Sequence, residues 1–241
     1  MKRTFIIFAL LLLTVFSINV NASELEGYTN QYGVTFSQEE YDFISKFYFD
    51  GYQEYMTMDA YNSFIDSDIM NADISIKVYN NEIMPMSSIY ETNMKQLKVS
   101  TACYTDCNVT TVLSWKSLPS VRSYDLIGAY FDGTSLISGV SSFMFYDSSK
   151  VSPAYSTKSA DGVSSTFKLP SKASNLNFTQ EFIVAKSGSI NVSYQHARKS
   201  ISLANSKKFS LSKNGYGGVF KFQESIRPYY DAMGGLTINL A

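Results

Sequence analysis

His196, in the string YQHARK, is the only histidine in the 241 residues. It is therefore the only side chain whose ordinary pKa would suit general-base work near neutral pH. No nucleophile is singled out to serve it. Serines are numerous, and neither a G-x-S-x-G elbow nor an H-E-x-x-H zinc motif occurs. The histidine follows a strand-like run and reads as a surface or strand-edge residue, so no catalytic residue is expected. Carboxylates offer a second chemistry, because a facing pair can hydrolyse glycosides. Asp125 falls inside a predicted strand, Glu181 precedes one and Glu224 follows one, and nothing in the spacing brings them together. Asp66, Asp68, Asn71 and Asp73 present oxygens of the kind calcium takes, but the stretch lacks the glycine and terminal glutamate of an EF-hand loop. It reads as a solvated acidic helix end. No metal and no cofactor is expected.

The two cysteines, Cys103 and Cys107, stand in ACYTDC. A redox motif would have two residues between them, and a structural zinc site needs four ligands. The spacing suits a tight hairpin in which Cys103 ends one strand, Tyr104-Thr105-Asp106 turn, and Cys107 starts the return, with a disulfide across the pair. That bridge fits an oxidising compartment. So does the N-terminus, where Lys2 and Arg3, an apolar run from Phe5 to Phe16 and the small-residue site Val20-Asn21-Ala22 form the pattern of a secretory leader over residues 1–22. Its apolar core is shorter than the ~20 residues of a membrane span. The expected product is secreted, with no membrane span after cleavage. Asn108, Asn177 and Asn191 each open a glycosylation sequon.

The chain is 45% hydrophobic and 17% charged, with 15% aromatic residues and a net charge of -1. This composition excludes a disordered chain and gives no global attraction to nucleic acid. Charge is nevertheless unevenly distributed. Residues 23–73 carry eleven acids against one base, Lys46, whereas residues 182–223 carry no acid and seven bases: Lys186, Arg198, Lys199, Lys207, Lys208, Lys213 and Lys221. Three readings of the split stay open. Both segments are simply solvated, or the acidic segment docks on the basic one, or Lys186, Arg198, Lys199, Lys207, Lys208 and Lys213 bind an anionic polymer.

The acidic segment is also dense in Tyr and Phe. Ser37-Gln38-Glu39-Glu40 is a capping box, and Tyr41, Ile44, Phe47 and Tyr48 follow at helical spacing, with Asp50-Gly51 as a stop. Thr57 caps a second short helix bearing Tyr61, Phe64 and Ile65. Two such helices cannot bury their rings against each other alone, so they are expected to pack on the remainder of the chain. From residue 74 to 241 the pattern turns to short strands: Ile74–Val78, Val109–Trp115, Tyr124–Phe131, Phe143–Tyr146, Ser164–Leu169, Phe182–Ala185, Ile190–Tyr194, Phe209–Leu211, Val219–Phe222 and Leu236–Leu240. Lys186-Ser187-Gly188-Ser189 reads as a hairpin turn. The expected fold is mainly β, an antiparallel β-sandwich with a short helical N-terminal segment. Trp115 is expected to face its core.

The string VLSWKSLPSVRSYDLIGAY, Val112 to Tyr130, resembles strand B, the connecting loop and strand C of a fibronectin type III or immunoglobulin-like sandwich, through Leu113, Trp115, Pro119, Ser123, Tyr124 and Leu126. Phe182 to Tyr194 is similar to that family's F–G hairpin. The resemblance covers roughly residues 95–195, and Gly139 to Lys172 departs from it. Domains of this kind are usually binding or spacer modules. The expectation is thus a secreted, non-catalytic binding or surface-interaction protein for a glycan, an anionic polymer or another protein, with a secreted carboxylate-dependent hydrolase as the alternative.

Overall fold

The computed structural model describes residues 27–79, 94–215, 218–231 and 233–240. The expected leader lies outside them. The N-terminal segment opens with a small ladder of β1 (Tyr28–Thr29) and β2 (Thr35–Phe36), followed by α1 (Gln38–Phe47), a 3-10 turn at Tyr52–Tyr55, α2 (Met58–Asp66) and a second 3-10 turn at Ile69–Asn71. The capping box forms as its residue types dictate: the Glu40 backbone N–H donates to Ser37 Oγ at 3.2 Å, and the Ser37 N–H donates to Glu40 Oε2 at 2.7 Å. Thr57 caps α2 through the N–H of Ala60.

The strands that follow are β3 (Asp73–Tyr79), β4 (Lys95–Cys103), β5 (Asp106–Trp115), β6 (Tyr124–Asp132), β7 (Leu136–Tyr146), β8 (Ser149–Val151), β9 (Tyr155–Ser159), β10 (Gly162–Lys168), β11 (Asn177–Ala185) and β12 (Ser189–Gln195). A one-turn helix α3 (Leu203–Ser206), a hairpin of β13 (Phe209–Gly215) and β14 (Gly218–Phe222), a 3-10 turn at Arg227–Tyr229 and β15 (Leu236–Asn239) complete the chain. Two antiparallel sheets result: six strands in the order β3-β4-β5-β11-β7-β8, and five in the order β15-β12-β6-β10-β9. The expected mainly β, antiparallel architecture is present. β5 and β6 lie in opposite sheets, and so do β11 and β12. Residues 186–189 therefore carry the chain from one sheet to the other, which corrects the hairpin expected there: β11 pairs with β5 and β7, β12 with β6 and β15.

The central core fills the space between the sheets, with Leu97, Val99, Leu113, Trp115, Ile127, Phe131, Phe167, Phe178, Phe182 and Tyr194 among its members. Each sheet is also covered on its outer face. The N-terminal helices pack Ile44, Phe47, Tyr52 and Phe64 onto Ala102, Val112 and Phe145 of the six-stranded sheet. The β13–β14 hairpin and its flanks pack Phe220, Phe222, Ile226 and Tyr230 around Leu126 of the five-stranded sheet. Gly128 permits that approach, because a Cβ there would lie 2.8 Å from the ring of Phe220 and 3.0 Å from the carbonyl of Val163. The molecule is thus four layers thick. The acidic segment and the basic hairpin occupy opposite outer faces, so the first does not dock on the second.

The cystine is formed, and Cys103 and Cys107 are directly paired across β4 and β5 with their Cα atoms 4.1 Å apart. Among the described residues no helix is long and apolar enough to cross a membrane.

Candidate functional site

Side chains alternate between the faces of a strand, and this parity assembles a polar cluster at one end of the central core. Lys95 shares its face of β4 with Leu97 and Val99. Trp115 shares its face of β5 with Leu113, and Asp125 its face of β6 with Ile127 and Ala129. His196 continues the face of β12 that carries Ile190, Val192 and Tyr194. Both sheets thereby project ionisable groups inward at one level. His196 Nδ1 lies 2.9 and 3.1 Å from the two carboxylate oxygens of Asp125. The same carboxylate accepts the Tyr194 hydroxyl and, at 2.9 Å, the backbone N–H of Ala197. Trp115 Nε1 donates to the Tyr194 hydroxyl at 3.2 Å. On the other side of the rings, Lys95 Nζ contacts Asp231 Oδ2, while Asp231 Oδ1 accepts the backbone N–H of His196 at 2.8 Å. The ammonium sits 5.1 Å from the Trp115 ring centroid and 5.2 Å from that of Tyr194.

His196 is only 3% exposed, which corrects the surface or strand-edge position expected for it. Burial pulls its pKa down, but the attraction and hydrogen bond of Asp125 outweigh that and hold it above the ordinary 6.5. Burial and the neighbouring Asp125 push the Tyr194 hydroxyl far up, so it stays protonated and donates. The cleft described below is lined by no member of this cluster.

A second site lies outside, between α2 and the outer face of the six-stranded sheet. It is a cleft of about 360 Å³ lined by Tyr48, Tyr52, Phe64, Thr110, Ser141, Phe143, Lys150 and Glu181, among others. Glu181 sits within β11 rather than before it. Burial pushes its carboxyl up to about 7, against the opposing pull of the Lys150 ammonium. Lys150 lies 4.0 Å over the ring of Phe143. Burial beside Glu181 also raises the hydroxyls of Tyr48 and Tyr52 well above their ordinary value.

The three carboxylates weighed for hydrolysis are not brought together. Asp125 is in the sealed cluster, Glu181 in the outer cleft and Glu224 exposed beyond β14. The six bases weighed for ligand binding divide between the two ends of the five-stranded sheet. Ser189 pairs with Asp132 at one end, where Lys186 enters the β11–β12 connection and Lys213 meets Asp132 at 2.5 Å. Gln195 pairs with Leu126 at the other end, where Arg198 and Lys199 follow β12 and Lys207 lies 4.0 Å over Tyr155, with Lys208 next to it. Asp68 accepts Asn71 Nδ2 at 2.7 Å and the Tyr104 hydroxyl.

No family model and no curated protein matches the chain. A solved structure of the pilus backbone protein from Streptococcus pneumoniae is similar over 39% of this chain and 25% of that one, at 10% identity and a TM-score of 0.29. That likeness is too slight to bear on fold or function.

Proposed function

We propose that this chain is an exported, non-catalytic binding module that holds a neutral, polyhydroxylated ligand, such as a glycan segment, in the cleft between α2 and the six-stranded sheet. The observation that carries this reading is the lining of the cleft. Tyrosine and phenylalanine surfaces stand beside Thr110, Asn108 and Ser141, with one cation, Lys150, against one carboxylate, Glu181. Aromatic faces with a few convergent polar groups and no net charge suit sugars better than anionic polymers. The leader pattern in residues 1–22 and the cystine support export. The resemblance to immunoglobulin-like sandwiches supports a binding role by analogy of fold alone. Glu181, with its raised pKa, would suit a general acid, but among the described residues it is the only carboxylate lining the cleft, which weighs against the hydrolase.

Retention on a panel of immobilised neutral and anionic glycans, at low and high salt, tests the reading. A neutral glycan should be retained with little salt dependence and lost on Ser141→Trp, which fills the cleft, while Lys207→Ala/Lys208→Ala binds normally. Retention that disappears in high salt and in the double lysine variant would move recognition to the basic end of the other sheet. Absence of retention on every glycan would remove this ligand class.

A further inference from the structure

Lys95 and Asp231 are separated by 136 residues, and their side chains are only 1% and 2% exposed. Taking an ammonium and a carboxylate out of water costs more than their attraction returns unless the surroundings compensate. Here Trp115 and Tyr194 face the amine with their rings, and one backbone N–H, from His196, reaches the carboxyl. In such a medium an uncharged product is favoured over two buried charges. A neutral amine in contact with a neutral carboxyl is a nucleophile held against an electrophile. Groups fixed in this way reach effective concentrations of about 10⁵–10⁸ M.

We propose that Lys95 and Asp231 condense into an intramolecular amide, a covalent bridge from β4 to the segment that leads into β15. After proton transfer within the pair, Lys95 Nζ attacks Asp231 Cγ. The C–N bond forms as an electron pair moves onto Oδ1, where the His196 N–H stabilises the oxyanion. The pair then returns to restore the carbonyl, and Oδ2 departs as water. Of the three ammonium protons, one stays on the amide nitrogen and two leave with the oxygen, so no outside acid, base, oxidant or energy source is consumed. The product is uncharged and keeps the hydrogen bond to His196. Loss of two buried charges and escape of the water favour it, and the sealed site keeps water from reversing the step. The exposed pair Lys213–Asp132 has no such protection, with side chains 57% and 37% accessible, and stays an ordinary ion pair.

Peptide mass spectrometry of the full secreted chain, cystine intact, tests this. The expected result is a branched proteolytic peptide joining the segment bearing Lys95 to that bearing Asp231, in a protein one water lighter than its disulfide-bonded sequence. Asp231→Asn should give the same branched peptide with ammonia lost in place of water, and Lys95→Arg should give none. A wild-type chain of full mass, with Lys95 open to amine acylation after denaturation, overturns the proposal. So does a water loss traced to any other pair of residues.

Discussion

Glu181 and His196 both make the fold sensitive to alkali, for different reasons. Burial raises Glu181 from 4.5 to about 7, so its ionised form is disfavoured in the folded chain. Its contribution is complete below pH 4.5 and is lost as pH rises towards 7. Glu181→Gln should therefore gain on the order of 1–2 kcal/mol at pH 8, discounted for partial exposure, and almost nothing at pH 4. Urea midpoints at the two pH values check this, and equal shifts at both would refute it. His196 is also raised, so the stability it draws from Asp125 is complete below 6.5 and fades as pH rises through its higher folded value. Asp125 itself serves His196, Tyr194 and the Ala197 N–H at once. Asp125→Ala strands all three and should cost about 3–5 kcal/mol in denaturant unfolding at pH 6; a loss under 1 kcal/mol would mean the network contributes little. The cluster was partly legible in the sequence. Asp125 has the strand parity of Ile127 and Ala129, and His196 that of Val192 and Tyr194, so both could have been assigned to the core face. Lys95 and Asp231 were not legible as partners, because only the packing of the two sheets brings them together.

Among the elements, those fixed by neighbouring residues were read correctly, and those fixed by distant ones were not. The Ser37 box, the Thr57 cap and the turn between the cysteines depend on residues within four positions, and each formed as expected. The KSGS connection was misread because a short Ser/Gly loop serves a hairpin and a crossing between sheets equally well. What decides is whether β12 finds β11 or β6, a choice made by core packing that leaves no mark in the loop. The start of β4 was missed although residues 95–99 alternate between buried and half-buried, because its inward face opens with Lys95, a residue type that ordinarily reads as exposed. The cystine closes so short a loop that its removal by Cys103→Ser/Cys107→Ser should cost only about 2 kcal/mol. Differential scanning calorimetry should show a lowered melting temperature with folding retained. Complete loss of folding would mean that the bridge holds much more than one turn.

At the scale of the molecule, the N-terminal segment is a layer of the fold and not an appendage. Phe47 carries its carbonyl to Ser100 Oγ at 2.8 Å, and Lys46 its carbonyl to Lys98 Nζ at 2.8 Å, so the backbone end of α1 is tied into β4. Phe49, Tyr52 and Tyr55 gather around the ring of Phe145, with centroids 5.3, 5.5 and 4.9 Å away. Stripping this layer would bare the apolar side chains of Ala102, Val112, Phe143 and Phe145 on the outer face of β4, β5 and β7. An exposed patch of that kind drives association. The lost segment also holds ten of the 21 acids, so the remaining sandwich would be left with bases in excess and strongly cationic. Deletion of residues 23–72 should accordingly give a product that self-associates or adheres to polyanions, seen as light scattering or as early elution that salt only partly reverses. A monodisperse, monomeric product melting at the full-length temperature would show instead that the helices cover a face the sandwich can leave bare.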